Sequence, residues 1–188
     1  AAGRVSSSQG AYAIGNSLGV RAWQRVAHAS VMAIMTEGDA SGYAGWDGPS
    51  LAAAPAGEVA VRAADICRAA RGAQPGAPGR YTVILEPPAV AEMLVMLAVM
   101  GLGATSYLEK RSFMSGKLGT PLVGTNITLR DDVYHPAMIG LPFDCEGHPR
   151  QVVPFFERGV ARGVVFDSMT AHRAGRPNTG HALPAPNT

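Results

Sequence analysis

The sequence predicts a mixed α+β fold with a mostly antiparallel sheet and a few packed helices. Three observations predict it: strand-length apolar runs near both ends, a segment of clear helical periodicity at residues 58–70, and a nearly all-apolar helix near the middle. The 188 residues suffice for one ordinary domain or two small ones. Hydrophobic residues make up 47% and charged residues 16%, which allows a packed core and excludes general disorder.

Residues 1–36 carry strand signals. Ala11 to Ile14 runs into Asn16-Ser17-Leu18-Gly19, where Asn and Gly favour a tight turn, and Val20 to Met35 follows. Residues 37–57 have the Gly, Asp, Ser, Pro and Ala composition of a loop. Glu58 to Ala70 is an amphipathic helix: Val59, Ala63, Ile66 and Ala70 share a face, while Glu58, Arg62, Asp65 and Arg68 point elsewhere. The Pro/Gly stretch 72–79 then separates residues 1–71, a strand pair plus helix, from residues 80–188.

In the second segment Tyr81 to Leu85 has the composition of a strand buried on both faces. Pro87-Pro88 ends it, and a helix from Ala89 to Leu102, interrupted only by Glu92, is apolar nearly all round, which predicts burial. Residues 104–126 are expected to be loop, with Ser115 to Gly119 (SGKLG) a flexible point. Ile127 to Leu129 is a short strand. Gln151 to Phe156 and Val160 to Phe166 form a β-hairpin across Glu157-Arg158-Gly159. Residues 175–188 are expected to be a surface excursion.

Charge and composition exclude several functions. The net charge of +2 comes from 16 basic and 14 acidic side chains, and the basic ones are scattered, so no nucleic-acid surface is predicted. No run reaches the roughly 18 apolar residues that span a bilayer. Cys67 and Cys145 make no disulfide framework, and a reducing cytoplasm is the expected setting. The first residues lack both a start Met and a signal-peptide pattern, so the chain is expected to begin inside a larger protein.

No catalytic set stands out. Of His28, His135, His148, His172 and His181, no two lie three or four apart, so no helix presents a His pair to a metal. HExxH, HExxxH and G-x-S-x-G are absent, and SGKLG lacks the spacing of a phosphate loop. The densest polar group is Asp144-Cys145-Glu146-Gly147-His148. On an extended strand Asp144, Glu146 and His148 could converge on a metal; the plainer alternative is a turn whose carboxylates accept backbone N–H bonds. As a nucleophile Cys145 is disfavoured, because two flanking carboxylates raise a thiol pKa.

Six segments in order carry a resemblance: Ile14 to Val20, Val83 to Val90, Arg111 to Gly119, Leu141 to Gln151, Phe155 to Gly175 and Asn178 to Ala182. Together they resemble the TldD/PmbA peptidase family, also labelled modulator of DNA gyrase, over nearly the whole chain. TldD-type subunits carry HExxxH on the helix after the buried strand. On that pattern the first His falls at Val95, the Glu at Met96 and the second His at Met100. Val cannot ligate zinc, thioethers ligate it poorly, and neither is a general base. A third ligand of the TldD branch, a Cys, falls beyond residue 188.

The resemblance implies the carboxy-terminal part of a non-catalytic PmbA (TldE)-type subunit, with no cofactor in this chain and zinc in a TldD-type partner. It implies a cytoplasmic assembly, with that partner or a second copy, acting on unfolded or extended peptides. Asp144, Cys145, Glu146, His148 and Arg158 are its candidate channel or interface residues. The alternatives are an active metallopeptidase with other ligands, or a peptide-binding scaffold without proteolysis. Cys145, where the family more often has Asp or Ser, and the heavy Pro/Gly content of residues 72–79 leave open a specialised rather than a housekeeping member.

Overall fold

A computed structural model describes residues 1–184. The chain visits two units in turn, Ala1–Ala11 with Arg25–Pro88 and Tyr12–Gln24 with Ala89–Thr188. This alternation follows from the length of the first two strands, β1 (Ala2–Gly15) and β2 (Arg21–Glu37): the tip of their hairpin belongs to the second unit. Each unit has a three-stranded sheet, and the fold class is α+β as the sequence predicts. No helix of the described residues is long and apolar enough to cross a membrane.

In the first unit β2 pairs antiparallel with β3 (Ala40–Gly48), from Glu37 opposite Ala40 to Ala29 opposite Gly48, and the sheet order is β1-β2-β3. The third strand replaces the loop expected over residues 37–57. Its turn is Gly38-Asp39, with Gly38 at φ +59°, the first central position where a two-residue hairpin loop favours glycine. Ala40, Gly42 and Ala44 are buried and alternate with exposed Ser41, Tyr43 and Gly45. The inward residues are small because helix α1 (Ala56–Ala69) lies against them: a Cβ on Gly42 would stand 2.1 Å from the Ala63 carbonyl oxygen and 2.4 Å from the Cys67 nitrogen. Small residues that look like loop composition are therefore the floor of a close helix–strand contact. The buried face of α1 is Val59, Ala63 and Cys67; Ile66 and Ala70, expected on it, are half-buried. Cys67 gains its place through its Sγ, 3.6 Å from the Ala40 carbonyl oxygen.

The apolar middle departs from expectation. Residues 81–85 are irregular and exposed, with Ile84 95% accessible, and helix α2 (Pro87–Leu97) buries no side chain. A strand needs a neighbour to satisfy its backbone, and no strand pairs with residues 81–85 among the described residues. Helix α2 continues into a π-helical turn, Ala98–Leu102, where Gly101 and Leu102 are buried.

In the second unit, α3 (Ala104–Leu108) occupies the start of the expected loop 104–126. Strand β4 (Leu129–Asp131) lies two residues later than predicted and pairs antiparallel with β5 (Val153–Glu157). Strand β5 turns into β6 (Val160–Ala161) through Arg158 and Gly159, at φ +45° and +82°, the expected hairpin with shorter strands. Both central residues are left-handed, as the favoured two-residue hairpin turn requires. The core around this sheet is Leu102, Ala104, Met114, Phe155, Phe156 and Val164, with Phe113 stacked on Phe156 at a 6.3 Å ring separation. Helix α4 (Ser168–Ala174) starts at a capping box in which the Asp167 carboxylate takes the Thr170 N–H.

The end of the described chain is a surface excursion only in part: residues 175–177, 183 and 184 are exposed, while residues 179–182 are tied in. Gln151 N–H donates to Thr179 O at 2.9 Å, Cys145 N–H to Ala182 O at 3.2 Å and Phe166 N–H to Thr179 Oγ1 at 2.7 Å. Gly180 and Ala182 are buried. Residues 185–188, the rest of that expected excursion, lie outside the described residues.

Candidate functional site

The five residues singled out from the sequence make a turn and a hairpin tip. Asp144 is buried, and its carboxylate accepts three backbone N–H groups: Oδ1 from Glu146 at 3.0 Å and His148 at 2.8 Å, Oδ2 from Ala182 at 2.9 Å. Glu146 turns the other way, its Oε2 accepting from the Ser168 N–H at 3.1 Å and from the Ser168 hydroxyl at the start of α4. Gly147, at φ +79°, lies so close to Ile14 and Val20 that a Cβ would stand 2.5 Å from a Val20 methyl. The segments 14–20 and 141–151 thus meet through this turn. Cys145 is exposed and free. The His148 ring sits 3.0 Å from the Pro149 carbonyl oxygen. Arg158 is exposed at the β5–β6 turn, its N–H donating to Thr128 Oγ1 at 3.2 Å. The turn with carboxylates on backbone N–H groups is the arrangement present, and among the described residues no three His, Cys, Asp or Glu side chains come together to hold a metal.

Val95, Met96 and Met100 lie on α2 and the π turn after it, each more than half exposed. Their chemistry does not fit zinc: an isopropyl group and two thioethers stand where imidazoles and a carboxylate would be needed.

A second polar group, absent from the sequence-based candidates, lines a pocket of about 820 Å³ in the second unit. That volume suits a small ligand or part of a chain. Its lining includes the apolar side chains of Val99, Leu102, Phe155, Val165 and Leu183 and the polar group Asp131, Arg150 and His181. Asp131 ends β4, Arg150 leads into β5, and His181 is brought in by the ladder that pins residues 179–182. One terminal nitrogen of Arg150 donates to both Asp131 oxygens at 2.9 Å. His181 Nε2 lies 3.5 Å from Asp131 Oδ1, longer than a well-formed hydrogen bond yet close enough to act on the carboxylate. His181, then Arg150, hold the Asp131 carboxyl below its ordinary range, outweighing burial, which pushes it up.

His181 Nδ1 is 3.0 Å from Thr179 Oγ1. The Thr179 hydroxyl has one proton, which reaches either the Phe166 carbonyl oxygen at 3.0 Å or His181 Nδ1 at 3.0 Å; where it goes to Nδ1, the neutral ring carries its proton on Nε2, beside the Asp131 carboxylate. The His181 side chain is 6% exposed, and neither its Nε2 nor Arg150 Nε has a hydrogen-bond partner in the protein. Buried donors left without acceptors cost about 1–3 kcal/mol each, so these two atoms favour an acceptor brought in by a ligand or water. No pattern within one segment could have found this trio, because its members come from three separate segments, the end of β4, the approach to β5 and residues 179–182. The segments 141–151 and 178–182 did carry Arg150 and His181.

The Asp131 pairing sets a pH dependence of stability. A carboxyl whose folded pKa lies below the unfolded value contributes fully above the latter and loses its contribution as pH falls through the folded value. Stability is therefore expected to drop as pH falls below about 4 (ordinary value 3.8). Asp131→Asn should flatten that drop in urea-unfolding series, and an unchanged slope would refute the pairing.

The family model of the PmbA/TldA metallopeptidase C-terminal domain matches residues 78–188. An uncharacterised protein of Methanocaldococcus jannaschii is 30% identical over 127 residues, covering 66% of this chain and 30% of that protein. Among solved structures, a protein described as a modulator of DNA gyrase from Thermotoga maritima superposes with a TM-score of 0.87 at 24% identity, over 96% of this chain and 43% of that one. TldE from Thermococcus kodakarensis superposes at 0.78 with 19% identity, over 99% and 43%. The chain spans less than half the length of each of these relatives.

Proposed function

This chain belongs to the PmbA/TldD metallopeptidase family, and we propose that it serves there as part of a non-catalytic, PmbA (TldE)-type subunit acting with a TldD-type zinc subunit on unfolded or extended peptides. The observation that carries this reading is the replacement of all three motif positions by Val95, Met96 and Met100. Positions five apart lie about 140° apart round a regular α-helix. The π turn at Ala98–Leu102, with its longer hydrogen-bond span, draws such positions toward one face. A backbone suited to an i, i+5 pair, bearing side chains that cannot do the chemistry, is consistent with a subunit that kept its shape and lost its metal.

Exposed apolar side chains at Tyr81, Val83, Ile84 and Leu85 in the first unit and at Val90, Met93, Val95, Met96, Val99 and Met100 in the second support assembly, since clustered exposed apolar side chains mark interaction sites. The proposed occupant is the TldD-type subunit, a second copy being the other arrangement. The turn at Asp144–His148 and Arg158 is proposed to contribute to the interface or channel wall through the exposed side chains of Cys145 and Arg158 and the ring of His148. A cytoplasmic setting is proposed with them, supported by two cysteines that remain unpaired.

The test mixes the intact protein with a TldD-type subunit. Co-purification and a rise in peptide cleavage of at least tenfold over either protein alone are expected, abolished by a chelator. No co-purification and no rise would favour a scaffold without proteolysis. Chelator-sensitive cleavage by this protein alone would overturn the reading.

A further inference from the structure

We propose that the pocket ending in Asp131, Arg150 and His181 binds the free carboxyl end of a peptide whose last side chain is apolar. The inference deepens the peptide-handling reading and takes from it the peptide nature of the ligand; the chemistry of the pocket stands apart from it. Two buried nitrogens, Arg150 Nε and His181 Nε2, make no well-formed hydrogen bond within the protein, the latter standing 3.5 Å from Asp131 Oδ1. The one carboxylate of the trio, Asp131, is already engaged by the terminal nitrogen of Arg150. What the pocket lacks is acceptor oxygens, and a ligand carboxylate offers two of them to two donors, where an amide carbonyl offers one.

The other charged groups on the lining are engaged elsewhere. Arg111 is paired with Glu109, and Asp167 holds the first turn of α4 through the Thr170 N–H and hydroxyl. Asp131 and Arg150 cancel in charge. The lining also includes Val99, Leu102, Phe155 and Leu183, whose side chains carry no donors or acceptors, beside the hydroxyls of Thr105, Ser106 and Thr170. A residue with an aliphatic or aromatic side chain and a free carboxylate matches both parts of the lining.

The experiment is calorimetric titration of the intact protein, without any partner, with a pentapeptide ending in Leu, the same pentapeptide amidated, and N-acetyl-leucine. The free acid is expected to bind at least tenfold more tightly than the amide. His181→Gln should remove that preference. Because Arg150 also holds Asp131, the second variant is Val99→Trp, which narrows the apolar side without touching the trio and should weaken the acid at least tenfold. Equal affinity for acid and amide, or acid binding indifferent to both variants, would overturn the proposal. N-acetyl-leucine binding as tightly as the pentapeptide would overturn the peptide source in favour of a small carboxylic acid. These readouts report binding alone, so their failure is distinct from a failure of cleavage in the paired assay.

Discussion

Gly42→Val is expected to lower the stability of the first unit by about 3 kcal/mol, since over-packing a close contact costs about 1–3 kcal/mol and backbone has less room to yield than a side chain. The added Cβ would meet the Ala63 carbonyl oxygen at 2.1 Å, the Cys67 nitrogen at 2.4 Å and the Cys67 Cα at 3.1 Å, all of them backbone of α1. To admit it, the helix must lift from β3 and expose Val59 and Ala63, now packed with Val31 and Ala44. For a chain of this size 1 kcal/mol is worth roughly 2–4 °C in the melting midpoint, so the midpoint should fall by about 10 °C. Gly10→Val is the control, because a Cβ there meets nothing within 4 Å. Circular dichroism melts of the two variants check the expectation. If Gly42→Val melts together with Gly10→Val, α1 does not lie on β3 as described.

Asp144→Ala is expected to cost about 4 kcal/mol. Three backbone N–H groups, of Glu146, His148 and Ala182, lose a charged acceptor at once, and each such bond is worth roughly 1.5–3 kcal/mol without full additivity. Asp144→Asn keeps one oxygen and should cost about half as much, since its amide can serve Glu146 and His148 but not Ala182. Urea denaturation of the three proteins provides the check; a loss under about 1 kcal/mol for the alanine variant would refute the assignment. The consequence reaches the partner assay. A failure of Asp144→Ala to assemble would report lost folding, and Glu146→Ala would also disturb the cap of α4. Cys145→Ser and Arg158→Gly are cleaner probes of the proposed interface. The first side chain is exposed, and glycine relieves the positive φ at Arg158 while removing the guanidinium.

Sequence pattern located the helix over residues 56–69, the long strand pair before it and the β5–β6 hairpin, because each is specified by local periodicity or by turn residues. It missed β3, where Ala40, Gly42 and Ala44 are small for the sake of a helix that follows later in the chain. It also buried residues 81–100, because composition records how apolar a segment is and not what covers it. At the site, four of the five sequence-based candidates cluster within five residues, Asp144 to His148, because density along the chain is what a sequence displays. The pocket trio is spread over 50 positions, between Asp131 and His181.

The sequence by itself determined the α+β class, the family, and that Val95, Met96 and Met100 carry no imidazole or carboxylate. Those are matters of which atoms are present and how they repeat. Only the tertiary structure decided that Asp144 holds a turn together, that the 179–182 segment is laced into the second unit, and that Arg150 and His181 share one carboxylate in a pocket. Such outcomes depend on hydrogen bonds between segments far apart in the chain, and no local pattern encodes which distant donor will be left without an acceptor.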